Sequence, residues 1–269
     1  VKYVKVDYSN IKDTTAILES HQINTVVSAI GMENSNTSQG QLNLITAAEA
    51  STVTKRFIPS EFGAIANKET AALDPYCKSY LENAEALAKT SLQYTRISVG
   101  FLMDFWGMPH IKTEMSPFKW AIDIENGVAA IPGTGNEKLS MTYTHDIAKF
   151  IVRLLEEPDW PEKCAVVGQD VTFNQLLRWA ENATGKKFKF SYDNVERLQK
   201  GEVTALSDTA ALSDFATHVS VMFGIMTVKG LILIPEERGL RLNERFPDLQ
   251  VLTMERMIKE NWARGGKST

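Results

Sequence analysis

The chain has 269 residues, 43% of them hydrophobic, and a formal net charge of −4. Such a chain can bury the core of one large domain or two smaller lobes, while its acidic balance offers no basic stripe to neutralise phosphates and so excludes nucleic acid as a direct partner. Its two cysteines, Cys77 and Cys164, are far apart and lack metal-ligand spacing, which excludes a disulfide framework and fits a reducing compartment, by default the cytosol, with no metal expected.

In VKYVKVDY at 1–8, Val4 and Val6 alternate, predicting a strand that is turned by Asp7, Ser9 and Asn10. A short amphipathic helix follows over 10–20. INTVVSAI at 23–30 is a continuous apolar run ending at Gly31, the pattern of a strand buried on both faces of a parallel sheet. A helix over about 38–50, a strand at 54–58, a helix over about 76–90 and a strand at 92–98 continue the alternation of a doubly wound α/β fold. After residue 100 the pattern becomes loop-rich, with Gly107, Pro109, Pro117 and IPGTGN at 131–136, then a helix near 145–156. Residues 160–186 read as a short strand, an N-cap at Thr172 and a helix closed by Gly185. The predicted organisation is a Rossmann-like parallel sheet over 1–155 and a smaller α+β substrate lobe over 156–269, with 101–135 contributing to the cleft. The apolar stretch Val219 to Pro235 is interrupted by Gly224, Lys229 and Gly230 and is too broken to span a membrane; no signal peptide is expected, and only the KST tail reads as disordered.

Ligands of open parallel sheets bind beyond the carboxyl ends of the strands. The residues there are Ala29, Ile30 and Gly31; Pro59, Ser60, Glu61, Phe62 and Gly63; and Gly100 followed by Phe101. Glycine at a crest admits a flat ligand close to the backbone, and Ser60 and Glu61 add polar groups to the same rim. The competing reading is that these are ordinary turns. Phe101, Met103, Phe105, Trp106 and Met108 form an apolar and aromatic group just beyond the third crest, suited either to a substrate pocket or to packing between lobes.

KRFIPSEFG at 55–63, with VVSAIG at 26–31, GQLNLITAA at 40–48, YTRISVGFLMDFWG at 94–107, IPGTGN at 131–136, THDIAKFI at 144–151 and the run at 180–202, resembles the NmrA-like and isoflavone-reductase-like members of the atypical short-chain dehydrogenase/reductases, in a fungal flavour. The resemblance covers residues 1 to about 205. It implies NADP as cofactor, with the 59–63 crest bordering the nicotinamide, and a catalytic lysine, or a tyrosine and lysine four apart, near the start of the helix over 76–90. Asp74 and Pro75 make a good cap for that helix and place Tyr76, Lys78 and Tyr80 in its first two turns. Counting back from Tyr94, Tyr76 and Tyr80 occupy the positions of the pair, and Lys78 falls two residues early. Tyr80, Ala84 and Leu87 share an apolar stripe, whereas Lys78, Glu82, Glu85 and Lys89 share a charged one. All three of Lys78, Tyr76 and Tyr80 stand as candidate catalytic residues. His21, His110, His145 and His218 read as structural or surface residues, with Asp146 a helix cap.

A dinucleotide site needs a glycine loop at a helix N-terminus, and neither G-x-x-G-x-x-G nor G-x-G-x-x-G occurs in this chain. Residues 1–8 match the family's third strand. The expected sheet is therefore N-terminally incomplete, lacking its first two strands and the phosphate loop, and NADP is the cofactor expected of a longer, complete protein. The implied function is NADPH-dependent reduction of a small aromatic or polyketide-like molecule. The alternative is a non-catalytic NmrA-like dinucleotide sensor that binds a protein partner; a homodimer fits either. A Lys78 directed to solvent favours a sensor or a tyrosine-based site.

Overall fold

Asn10 accepts the Asp13 N–H at 3.0 Å and so starts the first helix. The computed structural model describes residues 1–32, 35–206 and 214–263, without the side chains of 35, 36, 214 and 215; the KST tail lies outside the described residues. In chain order the first part contains α1 (Ile11–Ser20), β1 (Thr25–Val27), α2 (Ser35–Ala50), β2 (Arg56–Ile58), α3 (Lys68–Leu73), α4 (Pro75–Leu87), β3 (Gln93–Tyr94) and β4 (Arg96–Ser98). There follow β5 (Phe101–Leu102), α5 (Asp104–Gly107), β6 (Ile122–Asp123), β7 (Val128–Pro132), β8 (Leu139–Thr142), α6 (Thr144–Leu155), β9 (Lys163–Ala165), β10 (Gln169–Val171), α7 (Phe173–Thr184), β11 (Lys189–Asp193), α8 (Val195–Gln199), α9 (Asp214–Val228), α10 (Leu242–Arg245) and α11 (Met254–Trp262). Helix α3 is additional to the elements expected from the sequence; Asn67 and Thr70 form the reciprocal capping box that starts it.

Backbone contacts divide the chain into two compact units, the first comprising 1–62, 66–98 and 154–164. Its sheet has the order β1-β2-β3, all parallel, with Val26 opposite Phe57 and Phe57 opposite Tyr94. Leu18, Leu44, Ile45, Phe57, Leu87 and Leu92 form its core, and the fully buried Ala47 and Ala48 present no bulk on α2. Arg56 ties residues 154–164 to this unit. Its guanidinium lies 3.6 Å over the Trp160 ring, and its Nη1 donates to the Leu155 carbonyl at 3.0 Å.

The strand expected at 1–8 does not form. A strand needs a hydrogen-bonded neighbour, and among the described residues β1 pairs with β2 alone. Val1 and Tyr3 are consequently exposed. Lys2 Nζ lies 3.5 Å from His21 Nδ1, and the end of the segment is anchored where the Asp7 carbonyl accepts the Asn10 N–H at 3.0 Å and the Tyr8 carbonyl accepts Asn43 Nδ2–H at 2.9 Å. Val6 and Tyr8 line a cavity of about 620 Å³ together with Ile17, Val26, Val27 and Ser28.

The second unit comprises 63–65, 99–153 and 165–269. The sequence pattern places a boundary at 155, whereas the contacts assign 99–153 to the same unit as 165–269. The reason is the sheet β10-β8-β5, in which β5 runs parallel to β8, and the buried Thr142 hydroxyl, bonded to the carbonyls of Val99 at 2.7 Å and Val166 at 2.9 Å. A second sheet has the order β11-β7-β6. Helix α7 starts and stops as its sequence dictates, with a Thr172–Gln175 capping box and Gly185 at φ 62. Asp146, expected as a helix cap, is instead buried; its carboxylate accepts the Leu252 N–H at 2.6 Å and Lys149 Nζ–H at 2.7 Å. Among the described residues no helix is long and apolar enough to cross a membrane, and no cluster of metal-ligating side chains is found.

Gly100 is fixed by geometry. It sits at φ +69, and a Cβ there would lie 2.1 Å from the Ser140 carbonyl oxygen. Gly100→Ala is expected to cost about 3 kcal/mol through left-handed strain and overpacking, measured as a lower denaturation midpoint at unchanged denaturant slope.

Candidate functional site

The site lies in the first unit, where α4 passes the end of β2. The Asp74 carboxylate accepts the Tyr76 N–H at 2.8 Å, Pro75 occupies the first helical position, and the Cys77 thiol donates to Asp74 Oδ2 at 3.4 Å. From this start the helical repeat turns Cys77, Asn83 and Leu87 inward, all buried, with Tyr80 half-buried between them. Lys78, Glu82, Glu85 and Lys89 are all exposed, as the stripe arithmetic expects. The geometry therefore separates the three candidates: Lys78 faces solvent, Tyr76 is half-buried at the helix start, and Tyr80 faces inward.

The crest beside this helix is built from two strand ends. The Ser28 N–H donates to the Ile58 carbonyl at 2.8 Å, which extends the β1–β2 ladder and brings Ser28, Ala29 and Ile30 alongside Pro59, Ser60 and Glu61. Gln41 on α2 is fully buried, and its Oε1 accepts the Ser60 N–H at 2.8 Å. Ser38 and Ser79 hydroxyls meet at 2.9 Å, linking α2 to α4. Glu61 is 4% exposed; its Oε2 accepts Arg96 Nε–H at 2.7 Å, and its Oε1 has no hydrogen-bond partner among the described residues. Ser28 Oγ, Gln41 Nε2 and both amide atoms of Asn83 are likewise buried and unpartnered there. Buried polar groups without partners are costly. These buried atoms retain unused hydrogen-bonding capacity among the described residues.

Charge follows burial in this cluster. Burial pushes the Glu61 carboxyl up to about 7, outweighing the attraction of Arg96 and Lys163. Burial also pushes the Cys77 thiol up to about 12, holding it protonated, and raises Asp74. The Tyr80 phenol is pushed far above its ordinary value by burial and then by the nearby Cys77, Asp74, Glu61 and Tyr76. A phenol so held is a neutral donor, not a base.

The other expected residues fall elsewhere. Ala29 and Gly31 are exposed at the crest, Ile30 and Phe62 are half-buried, and Pro59 is buried. Gly63 and Gly100 belong to the second unit, where the Gly63 carbonyl accepts the N–H groups of Val99 at 2.9 Å and Gly100 at 3.1 Å. Phe101 and Trp106 are buried there in an aromatic cluster with Trp120, Phe173 and Phe223, while Phe105 is half-buried edge-on to Phe118. His110 packs edge-on to Trp262 and His145 stacks on Tyr143. Sequence reasoning misses Gln41, Asn83 and Arg96. Gln41 carries a signal, since it is a polar residue on the same helix stripe as Leu44, Ile45 and Ala48.

The model of the NmrA-like family matches residues 2–224. Oxidoreductase swnN of Metarhizium robertsii is 30% identical over 290 residues, covering 97% of this chain and 84% of that protein. Phenylcoumaran benzylic ether reductase TP7 of Nicotiana tabacum is 24% identical over 259 residues, covering 94% of this chain and 80% of that protein. Among solved structures, the binary complex of leucoanthocyanidin reductase with NADPH from Vitis vinifera superposes with a TM-score of 0.71 at 18% identity, covering 96% of this chain and 84% of that one. This likeness shows a shared α/β fold. The chain belongs to the NmrA-like family.

Proposed function

We propose that this chain is an NAD(P)-dependent reductase of a small aromatic or polyketide-like molecule in which Tyr80, not Lys78, supplies the proton. The observation that carries the reading is the opposite placement of the two side chains on α4: Lys78 is exposed, and the half-buried Tyr80 faces inward, in the electrostatic neighbourhood of Cys77, Asp74 and Glu61.

The residues present fit one end of the cofactor. The crest of Ser28, Ala29, Ile30, Pro59 and Ser60 would hold the nicotinamide end, where small side chains admit a flat ring and the orphaned Ser28 Oγ offers a hydrogen bond. The diphosphate end finds no glycine loop in this sequence. When bound, the reduced nicotinamide supplies a hydride. The chain's own contribution is to place the ring, with Gln41 fixing the Ser60 backbone, and to hold a proton on Tyr80. In the second unit, Phe105 is the half-buried member of the aromatic group.

Cytosolic location and a homodimer are part of this reading. Relatives named for reducing benzylic ethers direct the choice of substrates. Oxidation of NADPH should be followed with a panel of aromatic ketones, enones and benzylic ethers, and turnover with at least one of them is expected. Absence of turnover together with retained NADPH binding would favour the second reading, a dinucleotide sensor with a protein partner, which the exposed Lys78 also fits.

A further inference from the structure

We infer that β11 is the docking edge for a second copy of this chain: two β11 strands pair antiparallel about a twofold axis at Ser191, and the β11-β7-β6 sheet continues across the homodimer. This inference rests on the homodimer of the reading above and not on the reaction assigned to it.

The edge stands out by its length and its surface. At five residues β11 is the longest edge strand among the described residues, and it pairs there with β7 alone. Long open edges present unpaired backbone groups, and natural sheets shorten, charge or cover them. This one carries aromatic rings: Phe190 is 50% exposed and Tyr192 43%, with the two rings edge-on at 5.7 Å. The Tyr192 hydroxyl donates to Asn174 Oδ1 at 3.0 Å, which holds its ring in place ahead of any partner.

Register selects the occupant. The Lys189 N–H donates to the Gly127 carbonyl at 3.0 Å, and the Asp193 carbonyl accepts the Gly133 N–H at 2.8 Å. In a parallel ladder alternate residues bond to the same neighbour, so Lys189, Ser191 and Asp193 turn their backbone groups to β7, and Phe190 and Tyr192 turn theirs to the open edge. An antiparallel copy centred on Ser191 sets Phe190 opposite Tyr192 of the partner subunit and Tyr192 opposite Phe190 of the partner subunit. Each pair exchanges two backbone hydrogen bonds and brings its aromatic side chains together on one face. Charge agrees: this copy sets the exposed Lys189 against Asp193 of the partner subunit, where a parallel copy in register would set lysine against lysine. Ser191, whose buried Oγ has no hydrogen-bond partner among the described residues, comes to lie opposite its own equivalent. An edge complementary to itself closes as a twofold dimer.

Sedimentation velocity on the full chain over a concentration series, together with cysteine cross-linking, tests the assignment. Wild type is expected to sediment as a dimer. Facing Cα atoms of a non-hydrogen-bonded antiparallel pair lie about 4.5 Å apart, within disulfide range, so Ser191→Cys is expected to form an intermolecular disulfide under mild oxidation. Lys189→Cys, whose two copies would lie roughly 14 Å apart, is expected to form none; the native Cys77 and Cys164 are buried. Tyr192→Pro removes an outward N–H, which an edge strand tolerates, and is expected to raise the dimer dissociation constant by about 10-fold or more with an unchanged far-UV circular dichroism spectrum. Should that variant fold poorly, the cysteine pair still decides. A monomer at every concentration overturns the proposal together with the homodimer of the reading above. A dimer in which Ser191→Cys fails to cross-link, or in which Lys189→Cys cross-links equally well, overturns the β11 edge and leaves that reading in place.

Discussion

Tyr80→Phe is expected to lower NADPH-dependent turnover by about 10²–10⁴-fold while Lys78→Ala leaves it within two-fold. The phenyl ring left by the first substitution would retain the packing of the inward face of α4, where Cys77 and Leu87 are buried, so the thermal midpoint should move little. Only the hydroxyl is removed, and with it the proton that this cluster holds. Lys78 is exposed beside Glu82 and Glu85, and exposed charges on such a stripe contribute little to stability or to buried chemistry. Steady-state kinetics on both variants, with denaturation curves as the folding control, give the comparison. A large loss in Lys78→Ala with none in Tyr80→Phe would return the lysine to the catalytic role.

The second large effect concerns Glu61 and Arg96. Glu61→Leu leaves the Arg96 guanidinium buried without an acceptor, and a guanidinium cannot shed its charge, so the expected loss is about 3–5 kcal/mol. Glu61→Gln preserves a carbonyl oxygen for Arg96 Nε–H and is expected to cost no more than about 1 kcal/mol. The same pair has a pH signature. The folded state binds the Glu61 proton more tightly than the unfolded chain does, because burial raises this carboxyl from 4.5 to about 7. Its contribution to stability is fully present below about pH 4.5 and is lost as the pH rises through about 7. Each unit of the shift corresponds to about 1.4 kcal/mol, a decline of a few kcal/mol over the window. Urea denaturation at a series of pH values should show this decline in wild type and its absence in Glu61→Gln. A wild-type stability that rises over the same window would mean that Arg96 dominates the carboxyl and that burial does not.

How much of this is legible in the sequence depends on how local the cause is. The stripes of α4 follow from a 3.6-residue repeat, so the inward Tyr80 and outward Lys78 can be read directly. Thr172, Gln175 and Gly185 bound α7 through contacts within a few residues. The crest Pro59–Glu61 is visible as polar and small residues after an apolar strand. Glu61 itself reads as a rim group, because its partner Arg96 is 35 residues away and meets it only once β4 is in place. Gln41 reaches Ser60 across 19 residues for the same reason. The segment 1–8 has the alternation of a strand but no strand to pair with among the described residues, which no local pattern reports. A boundary at 155 does not anticipate that Arg56 reaches the Leu155 carbonyl while β5 pairs with β8. Gly100 reads as a site for ligand approach, and it is also the place where backbone meets the Ser140 carbonyl.

That the crest of β1 and β2 receives the nicotinamide end of the cofactor is a proposal. Its most direct test is a titration of the isotope-labelled chain with NADPH, followed by backbone amide chemical shifts. Perturbations are expected to concentrate at Ser28, Ala29, Ile30, Ser60 and Glu61, with weak affinity because no glycine loop in this sequence grips the diphosphate. Perturbations that leave these residues unmoved, or tight binding that survives the loss of the Ser28 hydroxyl and the Gln41 amide, would contradict it.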